Sequence, residues 1–354
     1  MYLKKIKIPY HVQQYEALSR RLTPVVPRTD AESRFKKGMA GYRGERSLDY
    51  LLSALPDKEF FIIHNLRLSN GSRYFQIDFL ILCPRFFLIL EVKNIMGTLI
   101  FDTELSQLIR ELDQTTDVFD DPISQAENLN VQLIEWLDVH GGSPALPVAD
   151  RVVIASPARL QVTDLKDLRI KKIVRKSNLT RELMNLNRQC FKKSLDIGSV
   201  EKMARTLLLQ HQPRIIDLFS FSSVRRSDII RGVQCPDCGF FPMKRENGIW
   251  HCTSCGHVSK TAHIAAFRDY FLIFGPVITN RQCRDFLILE SAVIAKKLLQ
   301  TVSLHYRGEK RTRIYYLSFQ LLIDKSSDER EAPWDENPVQ QQITDRKPRG
   351  PKNV

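Results

Sequence analysis

The sequence has no run near the ~18 consecutive apolar residues that a membrane span needs, so no span is expected. No apolar h-region follows Met1-Tyr2-Leu3-Lys4-Lys5, so no secretory signal is expected. There is no internal repeat, which sets aside repeat architectures. Cysteine is scarce, with seven in 354 residues and four of them in two tight pairs. That usage suits free thiols and metal ligands in a reducing cytosol better than a disulfide framework, so a cytoplasmic protein is expected. With 43% apolar and 26% charged residues, neither a disordered nor a fibrous chain is indicated. The length suits two or three domains.

What is present in excess is positive charge, and it is unevenly placed. Residues 1–150 carry 17 basic and 20 acidic side chains, residues 151–323 carry 30 and 13, and residues 324–354 carry six and seven. A polyanion partner fits this segregation, and so does a well-solvated basic surface.

Residues 10–22 are periodic as a helix, and Thr23-Pro24 through Pro27 break it. A second helix is predicted over residues 44–55, carrying Leu48, Leu51, Leu52 and Leu55 ahead of Pro56. Strands are predicted at 60–65, 74–82 and 86–93, with turns at Asn70-Gly71 and Cys83-Pro84 and a short return strand at 99–101. Asp121-Pro122 reads as cap and first position of a helix to residue 137. Further strands are expected at 152–155 and 173–174, and a helix around 200–211. Helix, three strands, helix and strand make an α/β core on one mixed sheet.

Inside that core, strand alternation puts Glu91 and Lys93 on one side and Val92 on the other. An antiparallel hairpin brings Asp78 beside Glu91, and two converging carboxylates repel unless a cation lies between them. Oxygen ligands from Asp78, Glu91 and the Val92 carbonyl suit Mg²⁺ or Mn²⁺. Such an ion lowers the pKa of bound water and stabilises charge on a phosphodiester, with Lys93 beside the attacking water. Glu45 shares a helical face with Leu48 and Leu52, and Gln125 shares one with Leu129 and Trp136, so both point inward. The alternative is a chance spacing with Glu91 and Lys93 as a surface pair. The apolar context weighs against it, because charged groups in strands this hydrophobic need a partner.

Gly41-Tyr42-Arg43-Gly44-Glu45, Gln76-Ile77-Asp78, Leu90-Glu91-Val92-Lys93-Asn94 and Pro122-Ile123-Ser124-Gln125-Ala126-Glu127-Asn128 occur in that order. Together they resemble the nuclease-related domain, NERD, a family distantly similar to PD-(D/E)xK restriction-endonuclease-like nucleases. The resemblance covers roughly residues 38–155. It implies an αβββαβ core with Asp78 and Glu91 as metal ligands, Lys93 as the water-activating lysine, Glu45 as an auxiliary acid and Gln125 as a helix-borne polar contributor.

Further on, Cys235-Pro236-Asp237-Cys238 is answered by Cys252-Thr253-Ser254-Cys255, with Gly239 and Gly256 after each pair. Two C-x-x-C turns separated by a hairpin-length span are the pattern of a four-thiolate structural Zn²⁺ site, so a zinc ribbon is expected. Its partner is either nucleic acid or protein. Cys83, Cys190 and Cys283 read as small buried hydrophobes.

Residues 262–274 read as a helix ended by Gly275-Pro276, and Thr279-Asn280-Arg281-Gln282 is a capping box opening a second helix. A third helix is predicted over 291–301, then strands around Leu304-His305-Tyr306 and Ile314-Tyr315-Tyr316-Leu317 joined by a basic turn. This looks like a winged helix, with Lys296, Lys297, Lys310, Arg311 and Arg313 as DNA contacts, although such modules also bind proteins.

The expected organisation is a helical N-terminal segment (1–37), a NERD-like domain (38–200), a helical linker (201–232), the zinc ribbon (233–258), the winged-helix-like segment (262–322) and a disordered tail (324–354). The expected function is metal-dependent hydrolysis of DNA, with DNA favoured over RNA and a protein partner also suited to the ribbon or tail. The alternative is a non-catalytic DNA-binding protein that keeps the nuclease fold as scaffold or sensor.

Overall fold

The computed structural model describes residues 1–140, 146–190, 195–220, 224–309 and 312–323. The chain opens with β1 (Tyr2–Lys4), α1 (Tyr10–Arg21) and α2 (Thr29–Arg46). It forms two compact units that are not consecutive in sequence. Met1–Lys7 joins Lys37–Pro213, and Ile8–Lys36 joins the chain from Arg214 onward. No helix among the described residues is long and apolar enough to cross a membrane.

In the first unit α3 (Asp49–Ser53) is followed by an antiparallel run of β2 (Phe61–Ser69), β3 (Tyr74–Leu82) and β4 (Phe87–Lys93). Next come β5 (Thr98–Asp102), β6 (Gln107–Leu112), β7 (Thr115–Asp120), α4 (Pro122–Val139), β8 (Val148–Ile154), β9 (Arg159–Val162), β10 (Ile173–Arg175), α5 (Leu179–Gln189) and α6 (Ile197–Leu209). One six-stranded mixed sheet has the order β1-β2-β3-β4-β8-β10, with β8 parallel to both β4 and β10. A second sheet has the order β7-β6-β5-β9. Residues 87–90 of β4 are all buried, so both faces of this strand are covered and it reads as a continuous apolar run. Helix α4 starts where its cap predicts: the Asp121 carboxylate accepts from the N–H groups of Ile123 (3.0 Å) and Ser124 (3.1 Å). Leu133, Trp136 and Leu137 of this helix pack with Phe61, Ile63, Leu80 and Ile89 of the sheet.

Three sequence expectations need correction here. The helix predicted over 44–55 is two helices. Ser47 Oγ donates to the Gly44 carbonyl at 2.7 Å and closes α2, and α3 restarts at Asp49 with Leu48 and Leu52 still buried. The return strand at 99–101 is the first of three, β5 to β7. β7 is exposed along nearly its whole length, so no apolar alternation announces it. Residues 201–209, read as part of a linker, belong to α6, which places Val200, Ala204 and Leu207 in the core over the sheet.

The second unit contains β11 (Lys244–Glu246), β12 (Ile249–His251), β13 (Val258–Ser259), α7 (Ala262–Phe274), β14 (Val277–Thr279), α8 (Asn280–Leu287), α9 (Ala292–Val302), β15 (Ser303–Arg307), β16 (Ile314–Leu317) and α10 (Phe319–Leu322). Its strands form two three-stranded sheets, β11-β12-β13 and β14-β16-β15. The Thr279 capping box forms as read, with Thr279 Oγ1 accepting from the Gln282 N–H at 3.2 Å and Gln282 Oε1 accepting from the Thr279 N–H at 2.8 Å. Helix α1 packs against α7 around Tyr10, Leu18, Phe267 and Phe271. Arg21 is fully buried and donates to Asp269 at 2.6 Å and to the carbonyls of Ile230 and Gly232 at 3.0 Å each. Burial opposes ionisation of Asp269, yet the guanidinium groups of Arg21 and Arg20 hold its carboxyl below the ordinary range. The tail from residue 324 lies outside the described residues.

Candidate functional site

Strand β4 ends at Lys93, and the polar groups gather around that end. Lys93 Nζ donates to Glu91 Oε1 at 2.7 Å and to Gln125 Oε1 of α4 at 2.7 Å. Asp78 of β3 accepts from the Val92 N–H at 2.8 Å. Burial raises the Asp78 carboxyl well above the usual carboxylate range, and the nearby charges of Glu91 and Glu45 add to the rise. Thus Glu45, Asp78, Glu91, Lys93 and Gln125 gather around the C-terminal end of β4, where it parts from the middle of β3. Val92 contributes its N–H to Asp78.

The placement of Glu45 depends on its neighbour. A Cβ on Gly44 would lie 2.4 Å from Asn94 Cβ, so glycine alone lets this turn of α2 press against the residue after Lys93. Asn94 Nδ2 then donates to the Ala40 carbonyl at 2.7 Å and ties the two segments together.

Sequence reasoning missed His64. It lies in β2, is fully buried, and its Nε2 is 2.6 Å from Glu45 Oε2. The available signal was a lone imidazole inside an apolar strand, where a polar group requires a partner.

The three carboxylates do not form a closed cage. Among the described residues, only the four cysteines bring three or more ligand atoms of this kind into one tight group. Each carboxylate is held by a group of its own: Glu45 by His64, Asp78 by Val92 and Glu91 by Lys93. Burial and, after it, the charges of Glu91 and Glu45 lift Asp78; a divalent cation relieves the repulsive part, and an all-oxygen donor set suits Mg²⁺ or Mn²⁺.

Cys235, Cys238, Cys252 and Cys255 have their sulfur atoms within 4.8 Å of one another. The two C-x-x-C segments adopt the same turn. Gly239 N–H donates to the Cys235 carbonyl and Gly256 N–H to the Cys252 carbonyl, both at 3.0 Å. Both glycines are left-handed, with φ of +74° and +75°. The Sγ atoms of Cys235 and Cys255 are 3.7 Å apart, and those of Cys238 and Cys252 are 3.5 Å apart. Tetrahedral Zn–S bonds of ~2.3 Å place neighbouring sulfurs about 3.8 Å apart, so these thiols fit one zinc. Burial resists ionisation of Cys252, but the N–H groups of Cys255 and Ser254 bring its thiol down to about 7. Cys83 and Cys283 are buried and Cys190 is partly buried, all outside the cluster.

Lys296 and Lys297 are exposed on α9, beside exposed Val293 and Ile294. The Arg313 guanidinium stacks 4.2 Å above the ring of Tyr306, which is half-exposed on the β15–β16 hairpin. Lys310 and Arg311 lie outside the described residues.

Residues 40–155 match the family model of the nuclease-related domain, NERD, and the α/β core of this segment is restriction-endonuclease-like. No curated protein matches the chain. A solved structure, protein VC1899 from Vibrio cholerae, aligns over 47% of this chain and 36% of its own length. Its identity is 13% and its TM-score 0.25, too slight a likeness to assign anything by.

Proposed function

We propose that this chain is a divalent-metal-dependent nuclease acting on DNA, with Asp78 and Glu91 as the residues that would hold Mg²⁺ or Mn²⁺. One observation carries the reading. Within the segment that matches NERD, Lys93 donates to Glu91 and Gln125 at 2.7 Å each, and Asp78 accepts at 2.8 Å from the N–H of Val92, which lies between Glu91 and Lys93 in sequence. When bound, the ion supplies an acidified water and offsets phosphate charge. Glu91 and Gln125 aim the Lys93 ammonium from two sides, so that it is fixed beside the attacking water and the phosphate oxygens. The Val92 N–H orients Asp78, and Glu45 is a third carboxylate behind it.

The four cysteines hold structural Zn²⁺. The α7–α8–α9 helices and the β15–β16 hairpin support a winged-helix reading, in which α9 offers Lys296 and Lys297 to DNA and the hairpin offers Arg313. Residues 214–323 carry 16 basic and eight acidic side chains, which suits phosphate contacts. The free thiols and zinc ligands suit a cytoplasmic setting. The competing reading, a DNA-binding protein with the nuclease core kept as scaffold, draws on the engaged state of Glu45, Asp78 and Glu91.

One experiment separates the two. Purified protein and Asp78→Ala are incubated with linear, circular and single-stranded DNA and with RNA, in Mg²⁺, Mn²⁺ or EDTA. Substrate loss with wild type and metal only, confined to DNA, is the expected result. Binding without cutting on every substrate would move the assignment to the scaffold.

A further inference from the structure

We propose that His64 is the positioning residue of the carboxylate site: it fixes Glu45 as a third, preoriented carboxylate for metal capture. The role rests on the nuclease reading above.

The geometry leaves His64 little else to do. Its side chain is fully buried in β2, and a carboxylate only accepts, so Nε2 carries the proton donated to Glu45 Oε2 at 2.6 Å. Nδ1 is buried without a hydrogen-bond partner, so the ring is aimed by this single polar contact. The Phe79 ring, 5.1 Å away between centroids, sets its tilt from the neighbouring strand.

The backbone is shaped around the same point. Asn65, the next residue, is buried in mid-strand at φ +51°, in the left-handed region that strands avoid. Lys4 Nζ donates to the carbonyls of His64 (2.9 Å) and Asn65 (3.1 Å) and holds the kink. Backbone of this kind persists where the surroundings over-determine it, and such places cluster at functional sites. From the other side, the Gly44 contact with Asn94 fixes the turn that carries Glu45. Glu45 is thus held at its backbone by α2 and at its carboxylate by His64. Without the imidazole its freely rotating side chain turns away from Asp78 and Glu91.

A merely structural tie between α2 and β2 predicts something different: the His64 substitutions then change stability and leave Mn²⁺ affinity unchanged. Glutamine puts its amide nitrogen near the position of Nε2, whereas asparagine reaches only the position of Nδ1.

The test is Mn²⁺ binding to the full, zinc-loaded chain, followed by loss of the free-ion electron paramagnetic resonance signal, with thermal melts alongside. The panel is wild type, His64→Gln, His64→Asn, His64→Phe, Glu45→Ala and Asp78→Ala. His64→Gln is expected to bind within about twofold of wild type, whereas His64→Asn and His64→Phe weaken binding by ~10-fold or more. In the Glu45→Ala background, His64→Phe should add no further loss. Equal Mn²⁺ affinity across the three His64 variants, or equal losses in His64→Gln and His64→Asn, overturns the proposal and leaves the nuclease reading intact. If wild type binds no more Mn²⁺ than Asp78→Ala, the metal site itself fails and His64 falls with it.

Discussion

The two polar clusters are built in opposite ways. The four thiols come from two short segments whose identical turns set the sulfur positions, and backbone N–H groups favour ionisation at Cys252. The carboxylates come from α2, β3 and β4, and each is occupied by a different partner. The first arrangement is complete in its protein geometry and is closed once a zinc is in it. The second is held short of closure, and Asp78 stays buried beside the charges of Glu91 and Glu45. The thiols can all turn to one ion, whereas each carboxylate is already engaged by a protein group.

The strongest way to break this contrast is at zinc. Cys252→Ser should abolish the stoichiometric zinc released to a colorimetric chelator and melt the ribbon around buried Trp250, since structural zinc contributes ~10 kcal/mol or more. A folded ribbon without zinc would show that its turns stand alone. Gly44→Ala should be the next largest effect, at about 1–3 kcal/mol of stability for forced overpacking. DNA cleavage should fall by about 100-fold as Glu45 and Asn94 move apart, measured by melting curves and initial rates.

Asp78→Asn should give the smallest change in stability, and of opposite sign. Asparagine still accepts from the Val92 N–H but carries no charge, so the variant should be more stable than wild type in EDTA while losing cleavage. The sign follows from the raised carboxyl. Its contribution to stability is present below the ordinary carboxylate range and is lost as pH rises through the native value. The melting-temperature advantage of Asp78→Asn should therefore be small in acid and grow toward neutral pH. A ligand whose loss stabilises would then stand beside one whose loss unfolds.

The sequence made the carboxylate end of the sheet legible because period-two strands fix which residues share a side. Asp78, Glu91 and Lys93 follow from alternation together with a hairpin, and the cysteines from spacing alone. His64 was hidden because its pairing with Glu45 joins a helix to a strand and leaves no periodic trace. β6 and β7 were hidden because exposed strands such as Thr115–Asp120 lack the apolar alternation that marks a half-buried one. The charge needed the structure as well. The basic excess of 151–323 is shared, since residues 151–213, with 14 basic and five acidic side chains, belong to the first unit. That unit also contains residues 37–150, with nine basic and 17 acidic, so its basic stretch follows an acidic one.

The buried bond from Arg21 to Asp269 spans 248 residues of chain. On the ribosome this is a delay. At ~5–20 residues per second, α1 emerges about 12–50 seconds before the helix that covers it. Strands β2 to β10 of the nuclease-like core are translated within that wait, so this core can condense while α1 is still exposed. The order of synthesis therefore sets a vulnerable interval, during which the apolar face and the arginine of one short helix depend on chaperones or on solubility alone.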